Sequence, residues 1–240
     1  MSFNEIELYT KYFLKVSVNN KITLLYRLLF PLIIVSFQMS SGNMHPQLVI
    51  PWCAYMLFSS AVNTVIEISI LREQGYLKQY HTLINGNKVF ILSKAIVEFL
   101  MMAISSLLFI LLVAVLNETH FWEILRIYPA LLLSSMVVYI PLIQLCLFFL
   151  TLPLDSQQII AVGNVSMVLT IVLTFFSQKL NLFADFFRLI NPIAFITEII
   201  NICSGYPINY PLYVYATIIM IYIVGGCLSY KKIRILPQGG

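Results

Sequence analysis

Residues 72–88 read REQGYLKQYHTLINGNK, a polar stretch between two long apolar runs. Four of the fourteen Lys and Arg residues, Arg72, Lys78, Lys88 and Lys94, lie in it or just beyond it. In an apolar chain, such a basic cluster marks a loop held on the cytoplasmic side of a membrane. This chain is apolar in that sense: of its 240 residues 60% are hydrophobic and 10% charged, whereas about a quarter of a soluble domain is charged. Mean hydropathy is +0.90. The reading is an all-α polytopic membrane protein, with two spans before the polar stretch and four after it.

Working outward, residues 1–21 place Phe3, Ile6, Leu8, Tyr9, Tyr12, Phe13 and Val16 near one helical face, with Glu5, Glu7, Lys11 and Lys15 mostly elsewhere. That pattern predicts an interfacial amphipathic helix. Its early acids and its lack of a small-residue cleavage site make it mature sequence and not a removable signal. Spans are expected at 22–39, 48–71, 95–116, 127–150, 159–176 and 212–230, each near the ~20 residues that cross a bilayer. Pro31 and Pro141 fall inside two of them, and Arg27 sits where its head group can snorkel to the cytoplasmic interface. Gly225 and Gly226 permit close helix approach in the last span. Residues 177–211 are broken by Lys179, Asp185, Arg188, Asn191, Pro192, Glu198 and Gly205, so two short re-entrant helices in the outer leaflet are expected there.

The charges orient the chain. Four Lys and Arg precede the first span or lie at its start, four belong to the central stretch and three to the tail, leaving three of the fourteen for outer segments. Both termini are therefore expected in the cytoplasm. The loop TLPLDSQQ at 151–158 has no basic residue and is the one inner turn that the charges do not mark. Residues 1–240 form a single transmembrane domain, with no room for a soluble catalytic one. A charge excess of +4 confined to loops implies no nucleic-acid partner.

Several chemistries are excluded by pattern. His45, His81 and His120 lie in loops without paired spacing, and the four cysteines are scattered, so no metal site is expected. No phosphate-binding GxxxxGK[ST] loop is present, so the chain is read as not catalytic on its own, with no catalytic, cofactor or metal residues. Glu67 and Glu98 fall at similar depth near the ends of the second and third spans. They are candidates for a polar pair, as snorkelling or helix-pairing groups or as a proton site.

The order of elements resembles the permease subunit of type-2 ATP-binding-cassette exporters over nearly the whole chain. Two motifs carry the resemblance. Arg72-Glu73-Gln74-Gly75-Tyr76-Leu77-Lys78, followed by Ser93-Lys94, is similar to the family's acid, glycine, leucine, lysine run and the small residue plus lysine that opens its third span. Phe186-Phe187-Arg188-Leu189-Ile190-Asn191-Pro192-Ile193-Ala194-Phe195 is similar to its Asn-Pro followed by an apolar stretch before the last span. Where the family often has a proline after the central helix, this chain has Ile84-Asn85-Gly86-Asn87.

The resemblance implies a cytoplasmic coupling helix at 72–83, within the 72–88 loop, presenting Arg72, Glu73, Gly75, Leu77, Lys78, Tyr80 and Leu83 to a separate ATPase subunit. It implies two ATPase chains carrying ATP and Mg, a second permease subunit, identical or related, and an outer gate at Asn191 and Pro192. Ser36, Gln38, Asn63, Asn164, Ser166 and Thr170 are candidates for a translocation path between permeases, or for helix–helix hydrogen bonds. Cargo would be amphipathic or hydrophobic, as in bacterial permeases that clear antimicrobial peptides such as lantibiotics from the cell membrane. Lipid-linked and drug cargoes fit as well. The alternatives are a surface-polysaccharide exporter, a non-transporting scaffold or sensor that docks a cytoplasmic partner through the same loop, and a membrane-embedded enzyme.

Overall fold

The computed structural model describes residues 3–19, 21–40, 45–75, 87–177, 190–207 and 209–232, and among them every regular element is a helix. Among the described residues five helices are long and apolar enough to cross a membrane, at 46–73, 89–116, 121–151, 156–174 and 212–230. In chain order the α-helices are α1 (Phe3–Asn19), α2 (Lys21–Ser40), α3 (Ile50–Glu73), α4 (Asn87–Leu116), α5 (Phe121–Leu125), α6 (Ile127–Cys146), α7 (Ser156–Ser177), α8 (Pro192–Ser204) and α9 (Leu212–Lys232). Single 3-10 turns lead into α3 and α5 and extend α6 to Thr151.

α3 is the axis of the bundle. In its most apolar window 94% of the residues are buried, against 28% in α7 and 22% in α9. It packs against α4, α6, α7 and α8 at once. Lipid tails are as apolar as leucine, so close contact between helices in a membrane comes from small side chains that let backbones approach. α3 supplies them in Ala54, Ser59, Ser60, Ala61, Thr64 and Ser69, all buried. Their hydroxyls do not go unmet: Thr64 donates to the Ser60 carbonyl at 2.9 Å, Ser69 to that of Ile66 at 2.7 Å and Ser60 to that of Glu98 at 3.0 Å. Hydrocarbon offers no substitute partner for such groups.

Two glycines set the remaining crossings. A Cβ on Gly163 of α7 would stand 2.9 Å from Ile66 Cδ1, and one on Gly226 of α9 would stand 2.1 Å from Gln144 Cβ and 2.7 Å from its Cα. The expected close approach in the last span thus belongs to Gly226, because Gly225 faces open space.

The amphipathic segment is more divided than its periodicity predicts. Phe13 is buried and meets Phe90 of α4 edge-on at 5.2 Å, with Tyr9 beside it. Leu8, Tyr12 and Val16 form a second apolar stripe that stays exposed. α1 therefore lies on α4 with one face and offers another to its surroundings, while Lys11 and Glu7 pair at 2.7 Å in solvent.

Boundaries differ from expectation at the central stretch. α3 runs through Glu73 and α4 begins at Asn87, so Arg72, Glu73, Asn87 and Lys88 are helical. The first expected span is the 20-residue helix α2, of which Arg27–Phe37 is the apolar part. α8 lies within the expected outer segment 177–211, whose residues 178–189 are outside the described residues.

The contact at Gly226 makes a stability prediction. Gly226→Ala overpacks the α6–α9 crossing and should cost about 1–3 kcal/mol, whereas Gly225→Ala should stay within about 0.5 kcal/mol of the parent. Thermal unfolding of the two variants in the same mild detergent checks the difference.

Candidate functional site

Four charged side chains meet inside the bundle near the end where α3 stops and α4 starts. Arg27 comes from α2, Glu67 from α3, and Lys94 and Glu98 from adjacent turns of one face of α4. Arg27 Nη2 lies 2.5 Å from Glu98 Oε2, Lys94 pairs with Glu67, and Lys94 Nζ stands 3.9 Å from Glu98 Oε1. The side chains of Arg27, Lys94 and Glu98 are 8%, 2% and 2% exposed, and Glu67 is the outlet at 29%. With two cations and two anions the cluster carries no net charge. That balance is what permits its burial, since each unpaired ion would cost several kcal/mol.

A polar shell ties further helices to the cluster. Lys94 donates to Ser17 of α1 at 3.4 Å and lies 5.3 Å from the centroid of the Phe13 ring, while Ser93 donates to the Ile6 carbonyl at 3.3 Å. Tyr139 of α6 donates to the Ala95 carbonyl at 3.3 Å, and its hydroxyl lies 3.0 Å from that of Ser60. Five helices, α1, α2, α3, α4 and α6, are therefore linked at one level. A cavity of about 210 Å³ beside Tyr139, lined by Leu92, Ala95, Phe99, Ser135 and Met136, opens between α4 and α6. Its polar groups are already bonded within the protein, so it offers only apolar contact.

Glu67 and Glu98, the polar-pair candidates at similar depth, come together through Lys94, which lies between them. Arg27, expected to snorkel, is buried on Glu98. It stands six residues into α2, about 9 Å along the axis, where bending back toward Glu98 is shorter than reaching the helix end. The i, i+4 spacing of Lys94 and Glu98 was the available signal; it emerges only once α4 is seen to begin at Asn87.

A second junction lies at the same end. Arg72, 1% exposed, donates to the carbonyls of Leu150 at 3.3 Å and Leu154 at 3.0 Å. Glu73 accepts from the backbone N–H and the hydroxyl of Ser156, the first residue of α7. A carboxylate on the free N–H groups of a helix start is stabilising twice, by hydrogen bonding and by the helix dipole. Arg72 and Glu73, read from sequence as coupling residues, here fasten the end of α3 to the segment between α6 and α7. Gly75 follows with φ +76°, a conformation that side chains other than glycine's disfavour. Leu77, Lys78, Tyr80 and Leu83 lie outside the described residues.

At the opposite end, Asn191 caps α8 by accepting from the Ile193 N–H at 3.0 Å, with Pro192 in the first helical turn. Its amide also donates to the Thr170 carbonyl at 2.7 Å and the Thr174 hydroxyl at 2.9 Å. The Asn-Pro pair thereby fixes α8 against α7. Of the candidate path residues, Ser36, Ser166 and Thr170 donate to carbonyls of their own helices, and Asn63 donates to Ser59 at 3.4 Å. Asn164 is exposed on α7, and the Gln38 side chain is outside the described residues.

No protein-family model, curated protein or solved structure matches the chain.

Charge balance makes the cluster testable by a double-mutant cycle. Arg27→Met and Glu98→Leu should each cost about 3–5 kcal/mol, because each strands a buried ion. The double variant leaves Lys94 on Glu67 and should cost less than the sum of the two, by more than the ~0.5 kcal/mol scatter expected of independent sites. Denaturation of all four proteins in one detergent measures the coupling. Separately, Glu73→Ala and Ser156→Ala should each lose about 1 kcal/mol as capping changes, and the pair together no more than the larger of them.

Proposed function

We propose that the chain is the transmembrane subunit of a type-2 ATP-binding-cassette exporter. In this reading it has six spans, with α2 as the first, and both termini in the cytoplasm. Two permeases, identical or related, assemble with two ATPase chains that hold ATP and Mg. The cargo is amphipathic or hydrophobic and leaves a bacterial cell membrane.

The observation that carries the reading is the anchoring on both sides of the 72–88 stretch. On one side Arg72 and Glu73 clamp α3 to the start of α7. On the other, Lys94 and Glu98 bind α4 to α1, α2 and α3. A docking segment transmits force only if what it is attached to does not yield. Here a push on residues between the anchors would act on two blocks of helices at once, without side-chain slack to absorb it. The order of elements supports the same reading: an amphipathic helix packed on the third span, and a short helix capped by Asn-Pro between α7 and the last span. Glu67 and Glu98 belong, in this account, to the stiff block and not to a proton path, since both are neutralised by cations.

Purification of the chain from its native membrane in mild detergent, followed by mass spectrometry and an ATPase assay, tests the proposal. Replacing residues 76–83 with a Gly/Ser linker leaves Arg72, Glu73 and the charge cluster untouched. A soluble ATP-binding-cassette protein should co-purify with the parent and be lost from this variant. A monodisperse parent that brings down no ATPase would end the exporter reading.

A further inference from the structure

Glu198 is a buried acid that no described cation pairs with. It lies in the middle of α8 with 9% exposure, and among the described residues no Lys, Arg or His stands within ion-pair distance of it. Its Oε1 accepts from Asn209 Nδ2 at 2.5 Å and its Oε2 from the Tyr215 hydroxyl at 3.3 Å. Both donors are neutral, and a carboxylate has about four acceptor positions, so capacity remains. The contrast with Glu67 and Glu98 is direct, because those acids are matched by Lys94 and Arg27.

Tyr215, which bonds to Glu198, is also the entry to a chain of aromatic contacts. Tyr215 stands 6.2 Å from Phe195 and 6.3 Å from Tyr210, and Phe195 stands 5.6 Å from Tyr222. Ring faces attract cations, more strongly where water is excluded. A carboxylate bordered by rings has the makings of a cation site, and an ionisable group buried in a membrane protein marks function more often than stability. Asn209, which bonds to Glu198 Oε1, follows the end of α8. Gly205, Pro207 and Asn209 are exposed, and Gly205 takes the left-handed φ of +77° that ends the helix.

We propose that Glu198, with the rings of Phe195, Tyr210 and Tyr215, recognises an ammonium or guanidinium group carried by an amphipathic molecule. The site lies at the end of the bundle opposite the four-charge cluster, on the helix that Asn191 fastens to α7. Taken with the exporter reading, on which this assignment of use rests, it makes the cargo a cationic amphiphile whose charge is held where it leaves the protein.

The full chain in nanodiscs of zwitterionic lipid, which do not themselves attract cations, is titrated with two fluorescent amphipathic peptides. One contains a single lysine and the other the same lysine acetylated, both with blocked termini. The lysine peptide should bind about tenfold tighter, the scale of a desolvated charge contact. Glu198→Gln should bring the two within about twofold, and Tyr210→Leu, which keeps the carboxylate, should reduce the preference partway. Equal binding of the two peptides by the parent overturns the site without reference to any variant, as does a preference that survives in Glu198→Gln. An ATPase that co-purifies with a parent lacking the preference would overturn this inference alone. A preference in a chain that brings down no ATPase upholds the site and removes only the transport role.

Discussion

Lys94 is the side chain on which the charged end of the bundle depends. It pairs with Glu67, stands near Glu98, touches Ser17 and lies beside the Phe13 ring, so one ammonium group joins α1, α3 and α4. Glu98 extends the set to Arg27 on α2. Such a group is not a strong source of net stability, because dehydrating four ions cancels most of their attraction. What it provides is uniqueness of arrangement. Apolar surfaces slide past one another at little cost in lipid, whereas a shift of one helical turn here would separate buried ions.

The two ends of the molecule therefore differ in kind. Near residue 73, charge pairs and helix caps lock α1, α2, α3, α4, α6 and α7 into one register. At the other end, α8 packs on α3, α6 and α7 through Asn191 and a buried face of Ile193, Phe195, Ile196 and Ile200, and it carries an acid with no cationic partner among the described residues.

Much of this architecture was legible in the sequence, for reasons that can be stated. Long apolar runs locate the spanning helices because hydrocarbon thickness sets their length. Asn191-Pro192 stands at a helix start, where asparagine caps and proline suits the first turn. Burial direction was not legible for α3, since a helix covered on all sides has no apolar stripe to read. The destination of Arg27 was equally hidden, because snorkelling and burial use the same residue and differ only in whether an acid from another helix waits at that depth. The roles of Arg72 and Glu73 were missed for a related reason. Their partners, the carbonyls of Leu150 and Leu154 and the start of α7, lie about 80 residues away, and backbone groups leave no trace in composition. Gly226 and Gly225 are identical in sequence terms, and only the position of Gln144 distinguishes them.

The burial of α3 also bears on how the molecule comes into being. All four of the helices that enclose it, α4, α6, α7 and α8, are synthesised after it. When α3 first leaves the ribosome and enters the bilayer, its serines, threonines and Glu67 face lipid, with hydroxyls turned back onto their own helix and the carboxylate without Lys94. Assembly must then proceed as progressive wrapping, in which each later helix covers part of an unsuitable surface and α8 is the last of the four to follow. The axis of the finished protein is thus an uncovered element of the nascent one, sheltered step by step as α4, α6, α7 and α8 follow it.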